Sequence, residues 1–152
     1  MSESATDPAP SPATQVAIPP ELLEIGQRLR TQDNRATRDP IFLVRGCRRV
    51  FGMDSGYAEH SIWMDASDWT EVPEPEDTYN PPNGVVQVFY TQVWEVLKVA
   101  FTEEGCREHL RINGHNYRSV YEKVEIYADG LWRMPEMIAI RNFLMSLPEP
   151  PC

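Results

Sequence analysis

Cys106 and His109 stand three residues apart in FTEEGCREHLRINGHN. On one helical face that spacing puts a thiol near an imidazole, the arrangement of a nucleophile and its base. A reactive thiol needs access and a lowered pKa. Cys106, beside Leu110 on an apolar stripe, reads as packing, so a thiol-dependent enzyme ranks behind two binding readings. His60, His109 and His115 make no pair four residues apart and no Cys/His ladder, so neither a metal nor a cofactor is expected. No serine lies in a Gly-x-Ser-x-Gly elbow and no glycine-rich phosphate loop is present. Carboxylates crowd residues 65–77, but a proline-laden loop is a poor place for the dry, rigid pocket of a general acid. The chain is expected not to be an enzyme.

Charge is more informative. The net charge is −9, yet residues 50–97 hold nine acids and no Lys or Arg. Asp54, Glu59, Asp65, Asp68, Glu71, Glu74, Glu76, Asp77 and Glu95 thus place the whole excess in the middle third. Such a stretch keeps a small protein soluble, and it also suits a basic partner. It disfavours direct nucleic-acid binding through this face. Trp63, Trp69, Tyr57 and Tyr79 lie in or beside it, and rings inside a charged rim are the composition of a protein–protein hot spot. Ile62 and Met64 draw Trp63 toward the core, which leaves Trp69 as the exposed ring. The expected partner-binding residues are Asp65, Asp68, Trp69, Glu71, Glu74 and Asp77.

A second candidate surface is basic. Residues 20–49 carry seven Arg against four acids. Two polar turns, TQDNR at 31–35 and NGHNY at 113–117, bear side chains that suit phosphate and base edges. If they flank one groove, Asn34, Arg35, Arg38, His115 and Asn116 form a site for a small anionic ligand. The alternative is structural: Asp33 and Asn116 satisfying orphan amides, and Asn34 taking a left-handed turn.

The elements that must position these residues follow from pattern. Residues 1–18, rich in Ala, Pro, Ser and Thr, predict a disordered tail, and residues 19–152 a single domain. PELLEIGQRLR predicts a helix with Leu22, Ile25 and Leu29 as its buried stripe. IFLVRGCRRVFG, HSIWMDA and EKVEIYA read as strands. EVPEPEDTYNPPNG reads as a loop without regular structure. VVQVFYTQVWEVLKVAF is one strand, two strands, or a strand followed by a helix presenting Val93, Val96, Leu97 and Ala100. Thr102 predicts the N-cap of a helix over EEGCREHLRIN, closed by Gly114. Pro135 opens a last helix in which Met137, Ile140, Leu144 and Leu147 trace the inward side, and Pro148 stops it. The fold class is α+β: a small antiparallel or mixed sheet with about three helices packed on one face. An edge strand and a long apolar strand make a homodimer unsurprising. No apolar run has membrane-spanning length, no secretory leader is visible, and three unpaired cysteines fit a reducing cytoplasm.

RLRTQDNRATRDPIFLV, RRVFGMDSGY, FTEEGCREHLRINGHN and AIRNFLMSL resemble segments of a group of small, uncharacterised accessory proteins of tailed bacteriophages and prophages of Gram-negative bacteria. The likeness runs from about Leu29 to Leu147, outside the tail and the 70–84 loop. YADGLWRMPEM departs from it, standing where a more basic, Asn-containing stretch is expected. The resemblance implies a context, the host cell cytoplasm, and a role in binding a host component. Together with the acidic stretch it leads to one expectation: a non-enzymatic, anti-CRISPR-like inhibitor of a host nucleic-acid-handling or defence complex. Sequestration of a nucleotide immune signal by the basic turns is the alternative.

Overall fold

The computed structural model describes residues 16–152; the tail expected over residues 1–18 therefore lies, up to residue 15, outside the described residues. Helices α1 (Pro20–Thr31), α2 (Glu103–Arg118) and α3 (Pro135–Ser146) accompany five strands. These are β1 (Pro40–Phe51), β2 (His60–Asp65), β3 (Thr70–Val72), β4 (Val85–Ala100) and β5 (Lys123–Gly130). All pairings are antiparallel, in the order β3-β2-β4-β1-β5. This is the α+β architecture that the sequence pattern predicts.

The stretch with three open readings is one strand. β4 is long because it serves two partners: Val85–Tyr90 pairs with β2, and Tyr90–Ala100 pairs with β1. Tyr90 stands opposite both Phe51 and His60. A register shift at Val44/Arg45 gives β4 one extra residue, Leu97. Such a bulge bends a strand and re-aims its side chains. Leu97 and Ala100 then pack toward α2, while Val96, on the helical face imagined for this segment, is 58% exposed.

α2 lies on the sheet. Its Cys106 and Leu110 meet Phe42 and Val44 of β1 and Val124, Ile126 and Ala128 of β5. Phe42 and Val44 are fully buried, and burial of such a side chain contributes roughly 1.5–3 kcal/mol. α1 and α3 pack on each other instead, around Leu29, Leu144 and Leu147. They approach closely at Gly26, where a Cβ would run into the Leu144 carbonyl. The predicted stripe of α1 holds, with Leu22 and Ile25 against this second core.

Three expectations are corrected. Gly114 does not close α2; it is buried within a helix that continues to Arg118, because Tyr117 beyond it still has His109 to pack on. Glu71 and Val72 are not loop but part of β3, whose short run is held by pairing with Trp63 and Met64. In α3 the inward residues are Arg141 and Leu144, while Ile140 is 46% exposed.

Gly46 shows how tightly the sheet is covered beyond α2. The ring of Tyr121 lies 2.5 Å from where a Cβ on Gly46 would be. The Tyr121 hydroxyl donates to Glu95 Oε2 (2.8 Å), and Arg48 Nε donates to Glu95 Oε1 (2.8 Å). Gly46→Ala should therefore lose about 2 kcal/mol by overpacking, although alanine ordinarily improves on glycine in a strand. Urea unfolding checks this. In a Tyr121→Ala background the same change should cost almost nothing, and an undiminished loss there would place the strain elsewhere.

Candidate functional site

The predicted acidic surface is built on the β2–β3 hairpin and the loop beyond it. Asp65 Oδ1 accepts the Ser67 amide (2.8 Å) and hydroxyl (2.6 Å). Asp68 Oδ1 accepts the Thr70 amide (3.0 Å) and hydroxyl (2.7 Å). Each aspartate thus folds its own turn with one oxygen, and among the described residues the other oxygen bonds nothing. Asp77 orders the following loop with both oxygens: Oδ1 accepts the Tyr79 and Asn80 main-chain amides (3.0 and 3.1 Å), and Oδ2 accepts the Asn80 side-chain amide (3.3 Å). The Ser67 hydroxyl and amide hold the Asp65 carboxyl below its ordinary pKa, and the Asn80 side chain and amide hold Asp77 below its own. Both are ionised at neutral pH.

Directly after Asp68 in the same turn stands Trp69, 62% exposed. Its φ is 58°, a left-handed conformation that is a true outlier for a bulky side chain. The Trp69 amide donates to the Asp65 carbonyl (2.8 Å), and the Ala66 amide to the Gly84 carbonyl (2.7 Å). The hairpin tip is thereby tied to the start of β4. Glu71 differs from its neighbours: Arg49 Nη1 lies 3.3 Å from it, and Arg49 also meets Glu122 at 2.6 Å. Glu74 is exposed and makes no ion pair among the described residues. Among the described residues, Glu71 and Glu95 alone of the nine acids in residues 50–97 pair with arginines, Arg49 and Arg48 of β1. Asp54 and Glu59 sit before β2, at the end opposite Asp65, about 17 Å away along the strand. Trp63 is 8% exposed, the core residue its neighbours implied.

The basic turns are not brought together. Arg35 reaches the start of α2, where its Nη2 donates to Glu103 Oε1 and its Nη1 to the Ile126 carbonyl (3.2 Å). His115 and Asn116 are exposed in the last turns of the same helix, about 18 Å further along its axis. Asn34 is half-buried, and its carbonyl accepts the Thr37 amide across the turn (2.9 Å). The left-handed residues of that turn are Arg35 (φ 50°) and Ala36 (φ 60°), not Asn34. Arg38 is 97% exposed, and its ion-pair partner among the described residues is Asp39, at 3.7 Å.

Segment 32–38 is instead a cap. Gln32 Oε1 accepts the Glu103 amide (3.1 Å), one of the unpaired donors at the start of α2. Thr102 Oγ1 accepts the Gly105 amide (3.1 Å), as the predicted N-cap should. Glu103, buried, also holds Arg107 (2.8 Å). Arg35 meanwhile occupies a main-chain acceptor of β5, the edge strand, and so covers an edge that would otherwise be open to pairing.

Cys106 is 1% exposed, and burial, reinforced by the charge of Glu103, pushes its thiol up. The ring nitrogens of His109 are engaged elsewhere, Nε2 with the Tyr117 hydroxyl (2.8 Å) and Nδ1 with Asn113 (3.3 Å). The predicted thiol–imidazole spacing therefore does not produce an activated nucleophile.

One cluster escaped the sequence reading. On the sheet face opposite α2, the Arg45 guanidinium lies 3.8 Å from the Tyr127 ring centroid and 4.4 Å from that of Trp94. Glu125 accepts from Arg45 Nε (2.8 Å) and pairs with Lys123 (2.7 Å). Val96 and Val99 are exposed on this same face. Period-two alternation could have put these residues on one face, but not without knowing that β1, β4 and β5 are neighbours. Among the described residues no helix is long and apolar enough to cross a membrane. Set against known protein families, curated proteins and solved structures, the chain finds no match.

Proposed function

We propose that this chain is a non-catalytic binding protein that meets a basic protein surface with the acidic tip of the β2–β3 hairpin. The observation that carries the reading is Trp69. A left-handed conformation costs about 1–2 kcal/mol in a residue with a Cβ, and here it holds an exposed indole in the same turn as two fixed carboxylates. Strain of this kind persists where surrounding hydrogen bonds overdetermine it, and it concentrates at binding sites. The carboxylates are ordered before any partner arrives, which lowers the entropic cost of association. Their charge steers encounter with a cationic surface. With the phage context that the sequence resemblance implies, the partner is a host nucleic-acid-handling or defence complex in the cytoplasm, inhibited by occupation of a surface meant for nucleic acid.

Capture from host lysate tests this, with the wild-type chain beside Asp65→Lys/Asp68→Lys and beside Glu59→Lys, at the other end of β2. The expected partner is retained by wild type and by Glu59→Lys, lost by the double variant, and released by duplex DNA or by raised salt. Equal retention by the double variant removes the reading. A symmetric pair of chains, in this proposal, would meet on the open face around Trp94 and Val96 rather than along β5, where Arg35 already lies.

A further inference from the structure

α3 carries an arginine where its packing calls for an apolar residue. Arg141 is 4% exposed. Its nearest countercharge is Asp39, with Nη1 3.5 Å from Oδ1, and its buried Nε–H has no acceptor among the described residues. A guanidinium presents five N–H donors. Burying one with so little compensation costs several kcal/mol, and a native group in that position calls for a reason.

The reason lies next to it. Asp39, shared between Arg141 and the exposed Arg38, lines a cavity of about 420 Å³. Ile138, one turn before Arg141 on α3, lines it too, with Leu131 and Trp132. Trp132 is 79% exposed, and the Arg133 guanidinium stacks 4.3 Å from its ring centroid. Arg133 is itself left-handed, with φ 60°. The lining therefore combines an aromatic platform, an apolar wall, one carboxylate and the Arg38 guanidinium, while Arg141 is held against that carboxylate and is not itself part of the lining. Two cations against one carboxylate leave a positive balance, and the volume is that of a small-molecule site.

We propose that this cavity binds a small aromatic anion, a planar ring bearing a phosphate or a carboxylate. The ring stacks on Trp132, as bases stack on exposed aromatics. The anionic group is drawn by Arg38 and Arg141, whose planar donors suit either oxyanion. Asp39 accepts a hydrogen bond from a ring amino group or a hydroxyl. Of the five ligand-binding residues expected from sequence, only Arg38 belongs to this site. The site is independent of the acidic hairpin, and either can fail without the other.

Thermal unfolding of the full chain tests it against adenosine, guanosine and cytidine monophosphates, indole-3-acetate, unsubstituted adenosine and inorganic phosphate. At least one ring-bearing anion should raise the melting temperature by about 5 °C or more at a hundredfold excess over its dissociation constant. Adenosine and phosphate should not. The nucleotide and indole-acetate arms separate phosphate from carboxylate. Arg141→Met, which replaces a poorly compensated buried charge, should melt no lower than wild type without ligand and should lose the ligand-induced rise. Should that variant not fold, the surface changes Arg38→Gln and Trp132→Ala decide, each expected to cut affinity about tenfold or more. No rise with any ring-bearing anion, or a rise that survives these substitutions, overturns the proposal.

Discussion

Replacing Trp69 by alanine or by glycine should weaken the captured complex by about 30-fold or more, the loss of a hot-spot ring worth about 2 kcal/mol. The two variants should differ from each other in stability, and that difference isolates the strain. Each loses whatever the indole buries, since Trp69 is only partly exposed at 62%. Each keeps the Asp65 and Asp68 turns, whose acceptors and donors lie on other residues. Alanine, however, must hold φ near 58° with a Cβ, whereas glycine does so freely. The glycine variant should therefore be the more stable by about 1 kcal/mol. Denaturant unfolding gives the first number, and titration of the recovered partner gives the second. An alanine variant that binds like wild type would remove the ring as an anchor. An alanine variant more stable than the glycine one would mean that the turn does not hold Trp69 under strain.

The parts of the fold that rest on local pattern are legible in the sequence. The α1 stripe, the Thr102 cap, the proline that opens α3 and the exposure of Trp69 over Trp63 all follow from neighbours within a few residues. What fails is long-range. Gly114 reads as a helix end because glycine usually is one, but His109, Asn113 and Tyr117 continue the helix around it through contacts one and two turns apart. β3 is invisible in EVPEPEDTYNPPNG because three residues become a strand only against Trp63 and Met64. Arg141 lies outside the inward side predicted for α3, since arginine almost never sits fully buried, and nothing near it in sequence announces Asp39. The acidic stretch is legible as composition. Its division of labour is not, because which carboxylates fold turns and which meet Arg48 and Arg49 depends on the pairing of β1 with β4 and on the placing of β3. The two basic turns share a composition but stand at opposite ends of α2.

Glu103→Ala should lose about 3 kcal/mol of folding stability, the largest effect expected from any single polar side chain here. Glu103 joins three things: the first turn of α2, the 32–38 segment through Arg35, and Arg107 one turn on. Its own amide is capped by Gln32. Hydrogen bonds to charged groups contribute about 1.5–3 kcal/mol each. Both arginines are well exposed, at 42% and 60%, and solvent reduces each contribution toward the lower end. An acid in the first turn adds about 0.3–1 kcal/mol through the helix dipole. Glu103→Gln keeps an acceptor and should lose only about half as much. The structural consequence should be local first. Without its carboxylate anchor Arg35 leaves the Ile126 carbonyl, so amide exchange should quicken at Arg35, Ala36 and Thr37 and along β5 before the Phe42 core loosens. An uncovered β5 is also a pairing edge, so Glu103→Ala should self-associate at concentrations where wild type does not. Sedimentation velocity measures that directly. A monomeric Glu103→Ala chain with unchanged exchange at residues 35–37 would show that segment 32–38 holds its place without the Glu103 carboxylate, and that this polar turn guards nothing.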